Sequence, residues 1–511
     1  MKTKKYIYAG VLALAFLVGS CSDDFLNVED PKGEPLEEYY TTDEHLQESV
    51  TAAYDPLHWP DWDGVAYNAL TIDAEIMGDD FFPGGDNISD NQHWHKLFNF
   101  EGDGSNTLAT LWGDFYSGVK RCNDVIVYCG YSANNDNANT PSYVEQARLL
   151  RVYYYNILWH YYGNVPFYLD NLSTPYTAPQ LTADEIYERL IAEMEDILKD
   201  NVLPMRWDDA NAGRVSLAFA YMLYAELVMY QNDTQRYPQA LDYMREIIRD
   251  GQYDLLPNYA DIWKESGEWG KESIFEINYQ DDNAGRDWAT PKSAGGTVLP
   301  TLISPNGWKG GDGWDAGQDG WGFLPMRVET YNMFDPADQR RDATCWDLRS
   351  LIGTDQDYKA RYQDTHIWLA KYRPFTENTK DCPTSKNLNY NNNLRIYRYA
   401  ETLLNAADLL LATGGSNAEA TGYVNRVHQR AGLPALGSVT ADEILEERHL
   451  EFVGEGKRYF DLVRTGKAAT TLVPIPGTDR TNAWTPNKKH IPLAQSELDA
   501  DPSLQQNDYN K

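Results

Sequence analysis

Residues 441–468, ADEILEERHLEFVGEGKRYFDLVRTGKA, restrict the fold of this chain more than any other stretch. Glu447, Glu451 and Glu455 follow at four-residue steps, which places them on one helical face. Gly454 and Gly456 then interrupt, and Arg458, Asp461 and Arg464 recur every third residue. Leu445, Phe452, Val453, Tyr459, Phe460, Leu462 and Val463 are interleaved with these charges. So much apolar bulk predicts two short helices with a kink between them, packed inward. Charges carried inward must pair to be tolerated. The favoured reading is a buried ion-pair network that fixes helix geometry; a catalytic acid/base cluster is the competing one.

Helical periodicity recurs upstream. A helix opens at Thr42–Ala53 with Thr42 or Asp43 as its cap. At about 106–129, Leu108, Leu111, Trp112, Phe115, Val119 and Cys122 share one side. At about 142–162, Ala147, Leu150, Tyr154, Ile157, Leu158 and Tyr161 form a stripe that Gly163 ends. Further helices are expected at about 182–199, with Thr182 capping and Glu185 answering it, and at about 214–230 and 236–249. The last two resemble a tetratricopeptide-type hairpin, although no clean 34-residue repeat is present. Residues 54–104 read as loop-rich and aromatic, and 252–393 as turn-rich with one short strand at Ser273–Tyr279. Helix resumes at Leu394–Thr413 and at about 417–431.

The N-terminus combines Lys2, Lys4 and Lys5, an apolar run from Tyr6 to Val18, and Gly19-Ser20 before Cys21. That is a secretory signal, too short for a spanning helix. Its Val-Gly-Ser-Cys ending resembles a lipobox, with Cys21 acylated as the first mature residue and the chain anchored to a membrane without a span. Ser22, Asp23 and Asp24 resemble an acidic surface-export tag. With 77 acids against 44 lysines and arginines the net charge is −33, and losing residues 1–20 removes three lysines more. Such a surface argues against nucleic acid and against anionic headgroups. Cys122 and Cys129 stand about 10 Å apart along a helix, too far for a disulfide, whereas Cys345 and Cys382 flank loops and can bridge. No zinc spacing appears.

The C-terminal stretch resembles the signature of the SusD/RagB family of Bacteroidetes outer-membrane nutrient-binding lipoproteins, roughly ERRxELxFEGxRxxDLxRWGKA. Glu447, Arg448, Glu451, Glu455, Gly456, Arg458, Asp461, Leu462, Arg464 and Gly466 match it. Gly454 stands where the family has Phe, and Thr465 where it has Trp. The stretches QARLLRVYYYNILWHYYGNVPFY, Asn393–Leu411, Tyr423–Pro434 and HIPLAQSELDADPSLQQNDY resemble further family segments, in order from Cys21 to Tyr509. The resemblance implies a mainly α, SusD-like fold: tetratricopeptide-like hairpins at about 106–250 and 394–468 carrying irregular insertions at about 54–104 and 252–393. Residues 1–20 would be the signal, 21–41 the acylated tether and 42–511 a single body.

Tryptophan is the informative residue for chemistry. Six of 15 fall in 259–327, and residues 295–322 hold nine glycines, so Trp308, Trp314 and Trp321 ride on a loop with little apolar company. Exposed indoles suit sugars, whose C–H faces stack on the ring while neighbouring polar groups bond the hydroxyls. The bland alternative is a satellite core stapling the insertion. A second loop, Asp73–Trp94, offers Asp79, Asp80, Asn87, Asp90, Asn91, Gln92, His93 and Trp94, but lacks EF-hand spacing. His93 and His95 have no third ligand in the sequence pattern. Family members bind ligand through such loops, so Tyr67, Asn91, Trp94, Trp288, Trp308, Trp314 and Trp321 are the candidate contacts. No serine-hydrolase, zincin, P-loop or dinucleotide motif is present, and no cofactor or metal is expected. The family implies an outer-membrane, surface-exposed lipoprotein. It would capture oligosaccharide and pass it to a SusC-like TonB-dependent transporter. A RagB-like peptide binder and a surface glycoside hydrolase are the alternatives.

Overall fold

A computed structural model describes residues 34–282, 285–308 and 320–511. The signal at 1–20, Cys21 and Trp314 lie outside the described residues. Counting helices of seven residues or more, the body opens with α1 (Asp43–Tyr54), α2 (Leu70–Met77), α3 (Gln92–Phe98), α4 (Ala109–Cys129) and α5 (Thr140–Tyr162). It continues with α6 (Ala183–Lys199), α7 (Leu217–Gln231) and α8 (Tyr237–Asp250). After a long irregular segment come α9 (Tyr399–Ala412), α10 (Asn417–Arg430), α11 (Ala441–Phe452) and α12 (Arg458–Arg464). Neighbours pack in succession, α4 on α1 and α5, then α6, α7, α8, α9 and α10 each on the one before, with α11 also against α9. This is the mainly α, tetratricopeptide-like stack expected.

Local chemistry sets the ends. Thr182 accepts from Glu185 N and Glu185 reaches back to Thr182 N, the reciprocal cap read from the sequence. Ser216 caps α7 through Phe219 N, so that helix starts three residues later than periodicity alone suggests. Nearly every side chain of α7 is buried, because α5, α6, α8 and α12 all pack against it. One apolar core runs from Leu46 to Tyr509. Tyr40, within the expected tether, already stacks on Tyr128 at 3.8 Å between ring centroids. Among the described residues no helix is long and apolar enough to cross a membrane.

Among the described residues there are three short antiparallel strand pairs: β1 (Val165–Pro166) with β2 (Gln180–Leu181) between α5 and α6, β3 (Ser273–Ile277) with β6 (Leu394–Arg398) across the two ends of the long insertion, and β4 (Cys345–Asp347) with β5 (Ile367–Leu369) inside it. Periodicity predicts helix over Leu394–Arg398. The segment is extended instead, with Ile277 opposite Leu394 and Ser273 opposite Arg398. That turns Arg395 toward Glu268 and Glu276, and Arg398 toward Glu272, pairings a helix would separate. The 54–104 region also holds more helix than expected. In α2 every residue after Leu70 is buried, which erases the one-sided pattern that reveals a helix. Cys345 and Cys382 do not bridge; Cys122, Cys129, Cys345 and Cys382 are all free and buried.

Candidate functional site

Four aromatic rings from three separate segments meet at the surface. Trp62 and Tyr67 lie 4.7 Å apart with a 29° tilt, and Trp288 and Trp321 lie 5.9 Å apart with a 27° tilt. The two pairs meet edge to face, Trp62 on Trp288 at 5.6 Å and Tyr67 on Trp321 at 5.3 Å, which closes the circuit. Edge-to-face and offset contacts are the arrangements that aromatic quadrupoles favour. Trp288 is 49% exposed and the other three rings are half-buried. The rings form a shelf open to solvent.

The shelf is held from behind. Fully buried Arg286 donates to Asp61 Oδ1 at 2.6 Å, and Asp61 Oδ2 accepts from Thr297 Oγ1 and Val298 N at 2.8 Å each. Gly64, at φ +97°, lies so close to Pro291 that a Cβ would stand 2.7 Å from its Cγ; only glycine fits there. Trp321 N donates to Thr301 O, and the His93 ring bonds Tyr67 O at 3.2 Å. Burial, with Asp90 nearby, pushes the Tyr67 hydroxyl up to about 12. Burial lowers His93 to about 4. Neither group is charged near neutral pH, so the shelf presents uncharged rings with carboxylate and amide groups of the 86–94 loop alongside.

Of the candidates read from the sequence, Tyr67, Trp288 and Trp321 come together here. Asn91 sits in the neighbouring loop, half-buried and left-handed at φ 49°, directly before α3. Trp94 does not belong to the shelf. It is fully buried, its Nε1 donates to Asp73 at 2.7 Å, and its ring packs against Phe323. Trp308 is likewise buried, against Trp346, Leu348, Tyr358 and Trp368, which is the satellite core of the bland alternative. Both lack the open face that stacking on a ligand requires. Trp62 is not among the sequence candidates, since a single indole in an aromatic-rich stretch carries no mark of exposure; its position two residues before Gly64 is the available signal.

The C-terminal charges form a clasp rather than a reactive cluster. Arg398 donates to Glu272, Glu451 and Glu455; Arg340 to Asp338, Glu447 and Glu451; Arg430 to Glu272 and Glu451. Glu451 is fully buried, which alone would raise its pKa, yet Arg430, Arg398 and Arg340 hold it at about 2. Asp461 is held at about 2 in the same way by Arg448 and Arg464. Gly454 and Gly456, at φ +80° and +74°, make the kink between α11 and α12. Asp79, Asp80 and His449 bring ligand atoms within 4.8 Å of one another. Those atoms already have protein partners, Arg458 on Asp79 and His449 on Asp80. A cavity of about 550 Å³ opens beside them, lined by Met333, Leu445, Arg458 and Lys467.

A family model described as the SusD family matches residues 271–509. A surface glycan-binding protein A from Bacteroides uniformis is 56% identical, with 92% of this chain and all of that one covered at a TM-score of 0.85. A surface glycan-binding protein A from Bacteroides thetaiotaomicron, solved in complex with laminarihexaose, is 53% identical over 91% of this chain and 99% of that one, with a TM-score of 0.86. A SusD-like protein P2 from Formosa agariphila is 25% identical over 90% of each chain.

Proposed function

The chain belongs to the SusD family, and we propose that it binds a laminarin-type β-glucan at the cell surface on the shelf of Trp62, Tyr67, Trp288 and Trp321. The observation that carries this reading is the four-ring circuit itself. Stacking uses the C–H faces of a neutral sugar and needs no charge on the protein. Trp288 and Trp321, side by side and tilted by 27°, suit successive units of a bent chain. Asp90, whose charge acts on Tyr67, and Asn91 beside it would meet its hydroxyls. A relative 53% identical, solved with laminarihexaose, supports the same ligand class.

On this reading the activity is capture rather than turnover. Acylated Cys21 holds the protein at the outer membrane, facing outward, and a SusC-like TonB-dependent transporter receives the oligosaccharide. Titration calorimetry with laminarihexaose, maltohexaose and a hexapeptide tests the ligand. Binding of laminarihexaose that Trp288→Ala weakens is the expected result. Heat from the peptide alone would favour the RagB-like alternative, and new reducing ends from laminarin would favour a hydrolase. Mass spectrometry of the membrane-extracted protein, seeking acyl chains on Cys21, tests the anchor.

A further inference from the structure

We infer that Arg286 is a positioning residue for the ring shelf, acting through Asp61 to lock the Trp62 loop against the Trp288 loop before ligand arrives. This deepens the glycan-binding reading and rests on it. Arg286 lies two residues before Trp288, and Asp61 one residue before Trp62. The ion pair, between residues 225 apart in sequence, therefore joins the segments that carry these two rings. The guanidinium also donates to Trp62 O and, at 2.8 Å, to Gly296 O, so one planar fork holds three acceptors on two segments. Its own carbonyl accepts from Asn389 Nδ2 at 2.8 Å and Thr384 Oγ1 at 3.1 Å, which fixes the arginine from a third segment.

Stability alone does not explain a fully buried ion pair here, since apolar packing of the same volume is commonly as stable. What the pair supplies is register. Its planar, directional bonds admit one relative placement of the two loops, where apolar contacts admit many. Rings held in place before binding spare the complex the ordering of those loops, and affinity rises accordingly. Lysine keeps the charge but carries its donors on a single nitrogen, without the spaced Nη1 and Nη2 that reach Gly296 O on one side and Asp61 with Trp62 O on the other.

The test compares Arg286→Lys with Arg464→Lys, which loosens a clasp pair away from the rings. Two readouts are taken on the full chain: the far-ultraviolet circular dichroism couplet of the coupled indoles, and the Kd for laminarihexaose. R286K is expected to weaken the couplet and raise Kd about tenfold or more, while R464K leaves both unchanged despite a lower melting temperature. An unchanged couplet and Kd in R286K, or an equal loss of affinity in R464K, overturns the inference. If R286K does not fold, Asp61→Asn takes its place, with the same readouts and the same expected and overturning results. If the unsubstituted protein shows no affinity for laminarihexaose, the glycan reading fails, while the couplet still decides whether Arg286 orders the rings.

Discussion

The clasp and the ring shelf hold side chains by opposite means. In the clasp, Glu447, Glu451 and Glu455 are buried and each is bonded to at least two basic groups, arginine, lysine or histidine, so no valence points outward. On the shelf, the rings meet one another by edge and by face and are only partly covered, Trp288 most openly, while their polar support, Asp61 and Arg286, is buried. Self-satisfied charge makes a frame, and an incompletely covered apolar surface awaits a partner. Density of charge alone therefore does not mark a site.

Acid should separate the two regions most. The folded pKa of Glu451 is depressed from 4.5 to about 2, and that of Asp461 from 3.8 to about 2. Unfolded carboxylates then take up protons first, so this stability is present above the unfolded values and is lost as pH falls through about 2. Buried His93 and His490, lowered from 6.5 to about 4 and about 3, add a loss that sets in earlier, as pH falls below 6.5. Urea midpoints measured across pH should fall on acidification, steeply below about pH 4.5. Glycan affinity of the protein still folded should stay flat from about pH 5 to 8, since no shelf group titrates there.

Next in size, Glu451→Ala leaves Arg340, Arg398 and Arg430 facing one another and should destabilise the fold by about 3–5 kcal/mol. Equilibrium unfolding checks it, and unaltered stability would break the claim that the clasp is a frame. Trp288→Ala should do the reverse. It should weaken glycan binding by about 2 kcal/mol, about thirtyfold in Kd, with a melting temperature within a degree or two of the parent's. A fall in stability without loss of binding would move Trp288 from shelf to core. Smallest, Arg458→Ala removes the bidentate pair with Asp79 and should lower stability by about 1.5 kcal/mol and reduce folded yield. A stable R458A protein that had specifically lost glycan binding would show the clasp reaching into the site.

Much of the frame was legible because helical periodicity is a local property. The ends of α5, α6 and α10 fall within about two residues of where apolar spacing and capping place them. β6 was not legible, since LRIYR reads equally well as the first turn of α9 until the partner strand at Ser273–Ile277 is known. The site was legible in type but not in membership. Trp308 and Trp321 look alike in a glycine-rich sequence, yet one is covered by Trp346 and Tyr358 and the other meets Tyr67 and Trp288. Trp94 is decided by Asp73, 21 residues away, and Trp62 by an arginine on a distant segment. Burial of an indole is settled by long-range contacts that no local pattern reports.

The four free cysteines turn the molecule into its own stopwatch. No disulfide joins the described residues, so reducing agents should leave the folded lifetime unchanged. Burial raises the Cys122, Cys129 and Cys345 thiols, which keeps them protonated and slow toward alkylating reagents while the structure is closed. Cys122 lies within α4 of the helical stack, whereas Cys345 and Cys382 lie in the long insertion. The order in which an alkylating reagent marks them would date the opening of each half, and show whether scaffold or insertion breathes first.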